Sequence, residues 1–228
     1  MSVLLAAAGS GSRLLLLGAF IVLVVLLQVW LNRRPPNRFL VRLGNAMLLT
    51  DSMRARVGAA SLARQPERIS FTPGAPTPGP DAIEIDRRLR EAGFDPAGSF
   101  TVPELQNLPV HLYAHLEQRA LAAIYEHPRA GTSLDLVTRY EDGTDVTLAT
   151  SKYVGALERP PGKQLLRAVG ADAASAWKQF LAERPDKPMV AVEAAAVPRL
   201  AEEAYAEDIA WRRHHGVSAE EVKRVSRI

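Results

Sequence analysis

An uncharged apolar run from Leu14 to Leu31, "LLLLGAFIVLVVLLQVWL", constrains this chain more than any other feature of its sequence. As a helix that rises about 1.5 Å per residue, the run is long enough to cross most of the hydrocarbon core of a bilayer. Trp30 stands near its end, where an aromatic ring favours the membrane interface. The sequence therefore predicts a single transmembrane helix over residues 14–31, after a short tail of residues 1–13.

A cleaved signal peptide is the alternative interpretation of the same run. Signal peptides carry an apolar region of about 7–15 residues, with positive charge before it and a small-residue cleavage site after it. Here the apolar run is longer, its basic flank lies mainly after it, and no such site follows. The pattern favours an uncleaved anchor.

Arginines follow the run closely, whereas only Arg13 precedes it. The arginines that follow are Arg33, Arg34, Arg38 and Arg42. Because basic residues concentrate on the cytoplasmic side, this asymmetry predicts a single-pass protein of the cell inner membrane, with the N-terminus outside and the C-terminal domain in the cytoplasm. We expect these four arginines to lie at the membrane surface, since anionic lipid attracts them. A basic patch beside an apolar run points to lipid and away from nucleic acid.

The segment between the anchor and the main domain has two parts. Residues 37–64 carry apolar residues at roughly helical spacing with arginines between them, which predicts a basic amphipathic juxtamembrane helix. Such a helix suits the lipid headgroup region, but packing on its own domain or on a partner stays open. Residues 65–80 contain four prolines and predict a semi-rigid linker. The soluble domain is then expected to span residues 81–228.

Helix signals begin and end this domain. Asp81 and Glu84 have the spacing of a capping box and predict a helix over 82–92. Further helices are predicted at 172–184 and at about 195–215, and a last short one follows the capping box of Ser218 and Glu221.

Strand-like stretches lie between the helices, near 110–116, 120–127, 134–140 and 145–151, with "PMVAV" at 188–192 as a possible fifth. The Asp-Gly pair in "EDGT" predicts a two-residue hairpin turn. The order predicts an α+β fold: an antiparallel four- to five-stranded meander with helices before and after it, packed on one face of the sheet.

Loop lengths sort the strand side chains into two sets, because opposed residues of an antiparallel pair share a face. The predicted core face collects Val110, Leu112, Ala114, Leu116, Leu121, Ala123, Tyr125, Val137, Val146 and Leu148. Asp135 and Arg139 fall on the same face and argue against it. The other face is mixed and is predicted to be the outer one.

The outer face carries a His-x-Tyr-x-His pattern, His111, Tyr113 and His115. These two histidines lie roughly 13 Å apart along a strand, too far to bind one metal ion, so no metal site is predicted. Glu126 is expected across from His111, either as a plain surface hydrogen bond or as part of a site. With Tyr140, these residues form the predicted partner- or ligand-binding face, which something is expected to cover.

Four stretches carry a resemblance to known proteins: "YEHPRAG" at 125–131, "YEDGTDVT" at 140–147, "LERPPG" at 157–162 and "YAEDIAWRRHHGVSAEEV" at 205–222. In these the chain resembles an uncharacterised group of bacterial single-pass membrane proteins. The resemblance covers most of the soluble domain, supports its limits and implies no activity.

Signatures of catalysis do not occur in the sequence. The chain of 228 residues has no cysteine, which excludes disulfides, thiolate metal sites and thiol nucleophiles. "RPPGK" at 159–163 lacks the first glycine and the final Ser or Thr of a P-loop, and neither G-x-S-x-G nor H-E-x-x-H is present. We therefore expect no catalytic residue and no cofactor.

The predicted function is a membrane-anchored, non-enzymatic interaction or accessory domain on the cytoplasmic face, within a membrane protein complex. Its expected partners are the lipid bilayer and another membrane or membrane-associated protein, and not nucleic acid. The alternative is a small membrane-tethered enzyme or ligand-binding domain that uses the mixed sheet face as a pocket wall.

Overall fold

The computed structural model describes residues 50–128 and 130–226. The helices in these ranges are α1 Asp51–Ala63, α2 Pro80–Glu91, α3 Ala173–Glu183, α4 Val197–His215 and α5 Ala219–Ser226. The strands are β1 Thr72–Pro73, β2 Asp95–Val102, β3 Leu108–His115, β4 Ala120–His127, β5 Gly131–Arg139, β6 Asp145–Ala149 and β7 Lys163–Arg167. Within these ranges, no helix has the length and apolar character needed to cross a membrane. The predicted tail, anchor and surface arginines lie outside the described residues.

The seven strands of the described residues form one sheet, in which each strand neighbours the next one in the chain. Strands β1 to β6 pair antiparallel, whereas β7 pairs parallel with β6. The α+β class is confirmed, but the predicted meander is too short. Its pattern misses β2, where Pro96 and Gly98 interrupt the strand signal at a register shift. Residues 188–192 make only an isolated bridge, between Met189 and Tyr140.

The capping box before α5 is confirmed. The Ser218 N–H donates to Glu221 Oε2 at 2.7 Å, and the Glu221 N–H donates to Ser218 Oγ at 3.2 Å. The capping box predicted before α2 is wrong. That helix begins after Gly79, which has no side chain that could accept a hydrogen bond, and Asp81 lies within the first turn instead of at the N-cap.

The hairpin between β3 and β4 matches the predicted sorting of side chains. Val110 pairs with Tyr125, and Leu112 pairs with Ala123. Leu116 is the exception, since its residue is 53% exposed instead of turned inward. It begins the turn and does not end the strand.

The hairpin between β5 and β6 differs from the prediction by one residue. The Tyr140 N–H donates to the Thr144 carbonyl at 2.9 Å, which leaves three residues in the loop and not two. Gly143 takes a φ of 80°, the left-handed conformation that closes a three-residue hairpin loop. Because strand side chains alternate, this one residue moves Val146 and Leu148 from the predicted core face to the opposite one.

Both faces of the sheet are apolar and both are covered by helices, so the prediction of helices on one face is wrong. On the first face, Ile124, Leu136 and Leu148 form a buried cluster with α2 and α3. On the second face, Val110 and Leu112 form another cluster with residues of β2 and the start of α4. The architecture has three layers, with the sheet in the middle.

Residues 50–80 belong to the same compact unit as the predicted domain of residues 81–228. Helix α1 contacts the C-terminal part of the chain at Gly58, where an added Cβ would lie 3.0 Å from Val217 and Val222. The proline-rich segment is also bound to the domain, because the Phe71 N–H donates to Glu202 Oε1 at 2.9 Å. The predicted linker is therefore a packed part of the fold.

These contacts predict that residues 81–228 alone are less stable than residues 50–228. The shorter chain loses Ile69 and Phe71, which pack against the second-face cluster, and this burial contributes on the order of 3 kcal/mol. We expect a lower urea midpoint or aggregation of the shorter chain. Phe71→Ala in the longer chain is the matched control and should give part of the loss. Equal midpoints for the two chains would contradict the assignment.

Candidate functional site

The residues of the predicted binding face are buried. His111 is 3% exposed, Tyr113 4%, His115 8% and Tyr140 3%, because α2 and α3 cover this side of the sheet. The prediction of an outer face is wrong. The expectation that something covers it is confirmed, and the cover is this chain's own helices. That burial removes the exposed surface on which the predicted binding role depended.

Each of these side chains has partners inside the protein. The Tyr113 hydroxyl donates to Asp86 Oδ1 of α2 at 2.6 Å, and the Tyr140 hydroxyl donates to the Pro185 carbonyl at 3.0 Å. The His115 ring stacks on Trp177 of α3, with ring centroids 5.4 Å apart. These contacts hold the two covering helices against the sheet.

The predicted pair of His111 and Glu126 is confirmed, and it belongs to a longer polar row. His111 Nε2 lies 2.8 Å from Glu126 Oε1, and His111 Nδ1 lies 2.9 Å from Ser99 Oγ. In the neutral ring, Nε2–H then donates to the carboxylate and Nδ1 accepts from the serine. The other carboxylate oxygen accepts the Gly79 N–H at 2.8 Å. The row therefore joins β2, β3 and β4 to the start of α2.

The second face of the sheet holds a partly open cavity of about 260 Å³, here called the chamber. It lies between the sheet and α4. Its apolar end is formed by residues of β3 and α4, among them Leu108, Val110, Leu112, Val197, Leu200 and Ala204. In the described part of the chain, a single helix, α4, lies above this part of the face. On the other face α2 and α3 pack side by side and leave less space.

The opposite end of the chamber is polar. Tyr125 lines it together with six charged residues, Asp135, Arg139, Asp145, Arg159, Lys163 and Asp208. They come from β4 to β7, from the loop before β7 and from α4. Three are acidic and three are basic, so the charged lining is balanced.

Four of the six charged residues are held by direct ion pairs. Arg139 and Lys163 both reach Glu207 of α4, each at 3.4 Å, and Lys163 also lies 3.9 Å from Asp145. Asp208 accepts from Arg212 Nε at 2.7 Å.

Asp135 and Arg159 make no direct ion pair or side-chain hydrogen bond with any described residue. The Arg159 Nη1 is buried without an acceptor. Asp135 is half-buried and lines the chamber. Interior polar groups normally have hydrogen-bond partners, so Arg159 Nη1 is a buried unsatisfied donor at the chamber, and Asp135 is a half-buried carboxyl beside it without a protein partner among the described residues.

The polar end is partly withdrawn from solvent, and burial shifts the pKa of three of its groups. Burial raises the pKa of the Asp135 carboxyl to about 6, although the charge of Arg159 opposes that rise. Burial also raises the pKa of the Tyr125 hydroxyl, and the negative charge of Asp135 adds to the effect. The pKa of Asp145 is raised by burial as well, against the opposing charge of Lys163. A carboxyl with a raised pKa in a cavity is a common property of functional sites.

Two sequence signals mark this end of the chamber. Asp135 stands within an otherwise apolar set of strand residues, and that conflict is the signature of a buried polar group. Arg159 lies in the "RPPGK" segment, which carries no P-loop but does place a cation inside the protein. Among the described residues, no group of three or more His, Asp or Glu side chains could hold a metal ion.

The electrostatics of Asp135 predict the effect of Asp135→Asn on stability. The folded pKa of about 6 exceeds the ordinary 3.8, so the folded state binds the proton more tightly than the unfolded one. The contribution of Asp135 to wild-type stability is then greatest below pH 3.8 and falls as the pH rises to about 6. The neutral Asn avoids this loss. We expect the variant to be more stable at pH 7.5, by on the order of 2–3 kcal/mol, and near wild type at pH 4.

Asp142→Asn is the control of opposite sign. Its hydrogen bonds with Lys187 and Thr144 hold the pKa of Asp142 well below its usual range, so the charged form stabilises the fold above pH 4. This variant should lose stability at pH 7.5 and recover it in acid. Urea denaturation at both pH values measures both effects. An Asp135→Asn variant without a pH-dependent gain would show that Asp135 is solvated.

Comparison with protein-family models, with curated proteins and with solved structures finds no match to this chain.

Proposed function

We propose that this protein is a membrane-tethered ligand-binding domain whose site is the chamber between the sheet and α4. The observation that carries the proposal is a largely apolar cavity with a polar end, where Arg159 Nη1 is buried without an acceptor and Asp135 has no ion-pair or hydrogen-bond partner among the described residues. The proposal follows the alternative raised by the sequence, but it uses the opposite face of the sheet.

Burial of a polar group without a hydrogen-bond partner destabilises a protein. A buried donor or acceptor without a partner costs about 1–3 kcal/mol, and more when it is charged. Arg159 Nη1 bears that cost in the described fold. A ligand that supplies the missing acceptor removes the cost, so the folded protein is prepared for binding.

The size of the chamber limits the ligand. Sites for drug-sized molecules occupy about 300–1,000 Å³ and are mostly apolar with a few converging polar groups. A chamber of about 260 Å³ has the same character and a smaller volume. The ligand is therefore a small molecule with an apolar body and a polar head.

The membrane part of the proposal rests on the sequence. Residues 14–31 form the tether, and Arg33, Arg34, Arg38 and Arg42 hold the following segment at anionic lipid. The domain then lies on the cytoplasmic side of the inner membrane, close to molecules that partition into the bilayer. The interaction role predicted from the sequence stays a prediction, and its surface has to lie elsewhere than on the buried His111 face.

A reporter fused after Ile228 tests the orientation. The arginines after residue 31 favour a cytoplasmic C-terminus, so a cytoplasmic reporter should be active. Protease digestion of the C-terminal domain in intact cells would establish the reverse orientation.

Native mass spectrometry of the full chain, purified in mild detergent, tests ligand binding. We expect a non-covalent small molecule bound to the wild type. Ala204→Trp fills the chamber and should remove that mass, whereas Ala210→Trp, on the exposed side of the same helix, should retain it. Thermal unfolding of both variants confirms that they fold.

Two outcomes contradict the proposal. One is a wild-type protein that carries no small molecule. The other is an Ala204→Trp variant that folds and retains the same ligand, which would place the ligand outside the chamber.

A further inference from the structure

We infer that the chamber takes small apolar molecules that end in an uncharged head with both a hydrogen-bond donor and an acceptor, of the carboxamide type. This inference rests on the proposed function and specifies its ligand. Two observations support it: the charges of the residues at the polar end, and the ion pairs that some of these residues already form.

The charge balance of the lining disfavours a charged head. Three acidic and three basic residues line the polar end, and four of the six already have direct ion-pair partners. Only Asp135 and Arg159 are left, one of each sign. A ligand carboxylate would face Asp135, and a ligand ammonium would face Arg159, so either charge meets repulsion as well as attraction.

The hydrogen-bonding groups of Arg159 and Asp135 favour a ligand head that can both accept and donate a hydrogen bond. Arg159 Nη1 donates and cannot accept, whereas an ionised Asp135 accepts and cannot donate. The Tyr125 hydroxyl beside them can do either. A carboxamide supplies a carbonyl oxygen for Arg159 and an NH₂ group for Asp135, so it satisfies both without adding charge.

The protonation state of Asp135 fixes the pH range in which this preference holds. Its carboxyl has a pKa of about 6, raised by burial. The charged groups that face it are Arg159 and, at the same end, Arg139, Asp145, Lys163 and Asp208. At pH 7.5 Asp135 is therefore largely ionised and disfavours a carboxylate.

The apolar end fits the body of such a ligand. Leu108, Val110 and Leu112 of the sheet face Leu200 and Ala204 of α4, without charged residues among them. Each buried CH₂ group contributes about 0.8 kcal/mol, so an alkyl chain of several carbons gains several kcal/mol there. The volume of about 260 Å³ restricts the chain to a short one.

The test compares hexanamide, hexanoate and hexylamine, which share one alkyl chain and differ only in the charge of the head. Dissociation constants are measured by calorimetry at pH 7.5, with the full chain in detergent. We expect hexanamide to bind the wild type about tenfold more tightly than the other two. A difference of this size corresponds to about one charge-assisted hydrogen bond.

Two variants change the net charge at the polar end of the chamber, and each should change which of the three probes binds most tightly. Asp135→Asn leaves Arg159 unopposed, so hexanoate should become the tightest ligand. Arg159→Met leaves Asp135 unopposed, so hexylamine should become the tightest. Both substitutions remove a buried charge, and thermal unfolding confirms that each variant folds. If either variant fails to fold, the ranking on the wild type alone decides.

The outcomes separate this inference from the proposed function. The same ranking in all three proteins overturns the inference, because the head then lies away from Asp135 and Arg159. So does a wild type that prefers a charged probe. If none of the probes binds while native mass spectrometry still detects a molecule that Ala204→Trp removes, the ligand class is wrong and the chamber remains the site. If both measurements are negative, both proposals fail.

Discussion

The central strands of the sheet direct apolar side chains to both faces, and every other feature of the fold follows from that constraint. Along β3, Val110 and Leu112 point one way and Tyr113 points the other, and all three are almost fully buried. A sheet of this kind cannot leave either face to water. The chain therefore needs helices on both sides, and even its proline-rich segment contributes Ile69 and Phe71 to the packing.

The two faces are covered in different ways, and the difference creates the chamber. On the first face α2 and α3 pack closely, with Ala176 and Phe180 fully buried. On the second face α4 is tied to β5 and β7 through the long side chains of Arg139 and Lys163, which meet at Glu207. A helix held by long side chains leaves room beneath it, and that room contains Asp135 and Arg159.

Sequence reasoning found most of the elements of the soluble domain and placed part of the core. The helices and the last capping box follow from local signals, because capping and helical periodicity act within a few residues. The prediction of which β6 side chains face the core is wrong because of a single residue. The loop at "EDGT" has three residues instead of two, with Gly143 in the left-handed conformation. No local signal distinguishes the two loop lengths, but the error reverses a whole strand.

The chamber residues are harder to predict from the sequence, because a strand of alternating character is expected to leave one face exposed to solvent. His111, Tyr113 and His115 look like an exposed polar face only if nothing covers them, and whether a helix covers them is decided by distant parts of the chain. In the sequence, the charge of Asp135 argues against the assignment of its strand face to the core. In the fold it is a half-buried acid that lines a cavity, where only the three-dimensional structure brings it together with Arg159.

The second face holds open space beneath α4, whereas the first face is closely packed around Ala176 and Phe180, and overpacking each side measures this difference directly. Ala201 lines the chamber, and Ala176 is fully buried on the first face, so the same Ala→Leu change probes both sides. We predict that Ala201→Leu leaves the free energy of unfolding unchanged or raises it. Ala176→Leu should lower it by about 1–3 kcal/mol, because a packed core does not accept added methylenes. An equal loss of stability in both variants would contradict the account, since it would mean that the space beneath α4 is already filled.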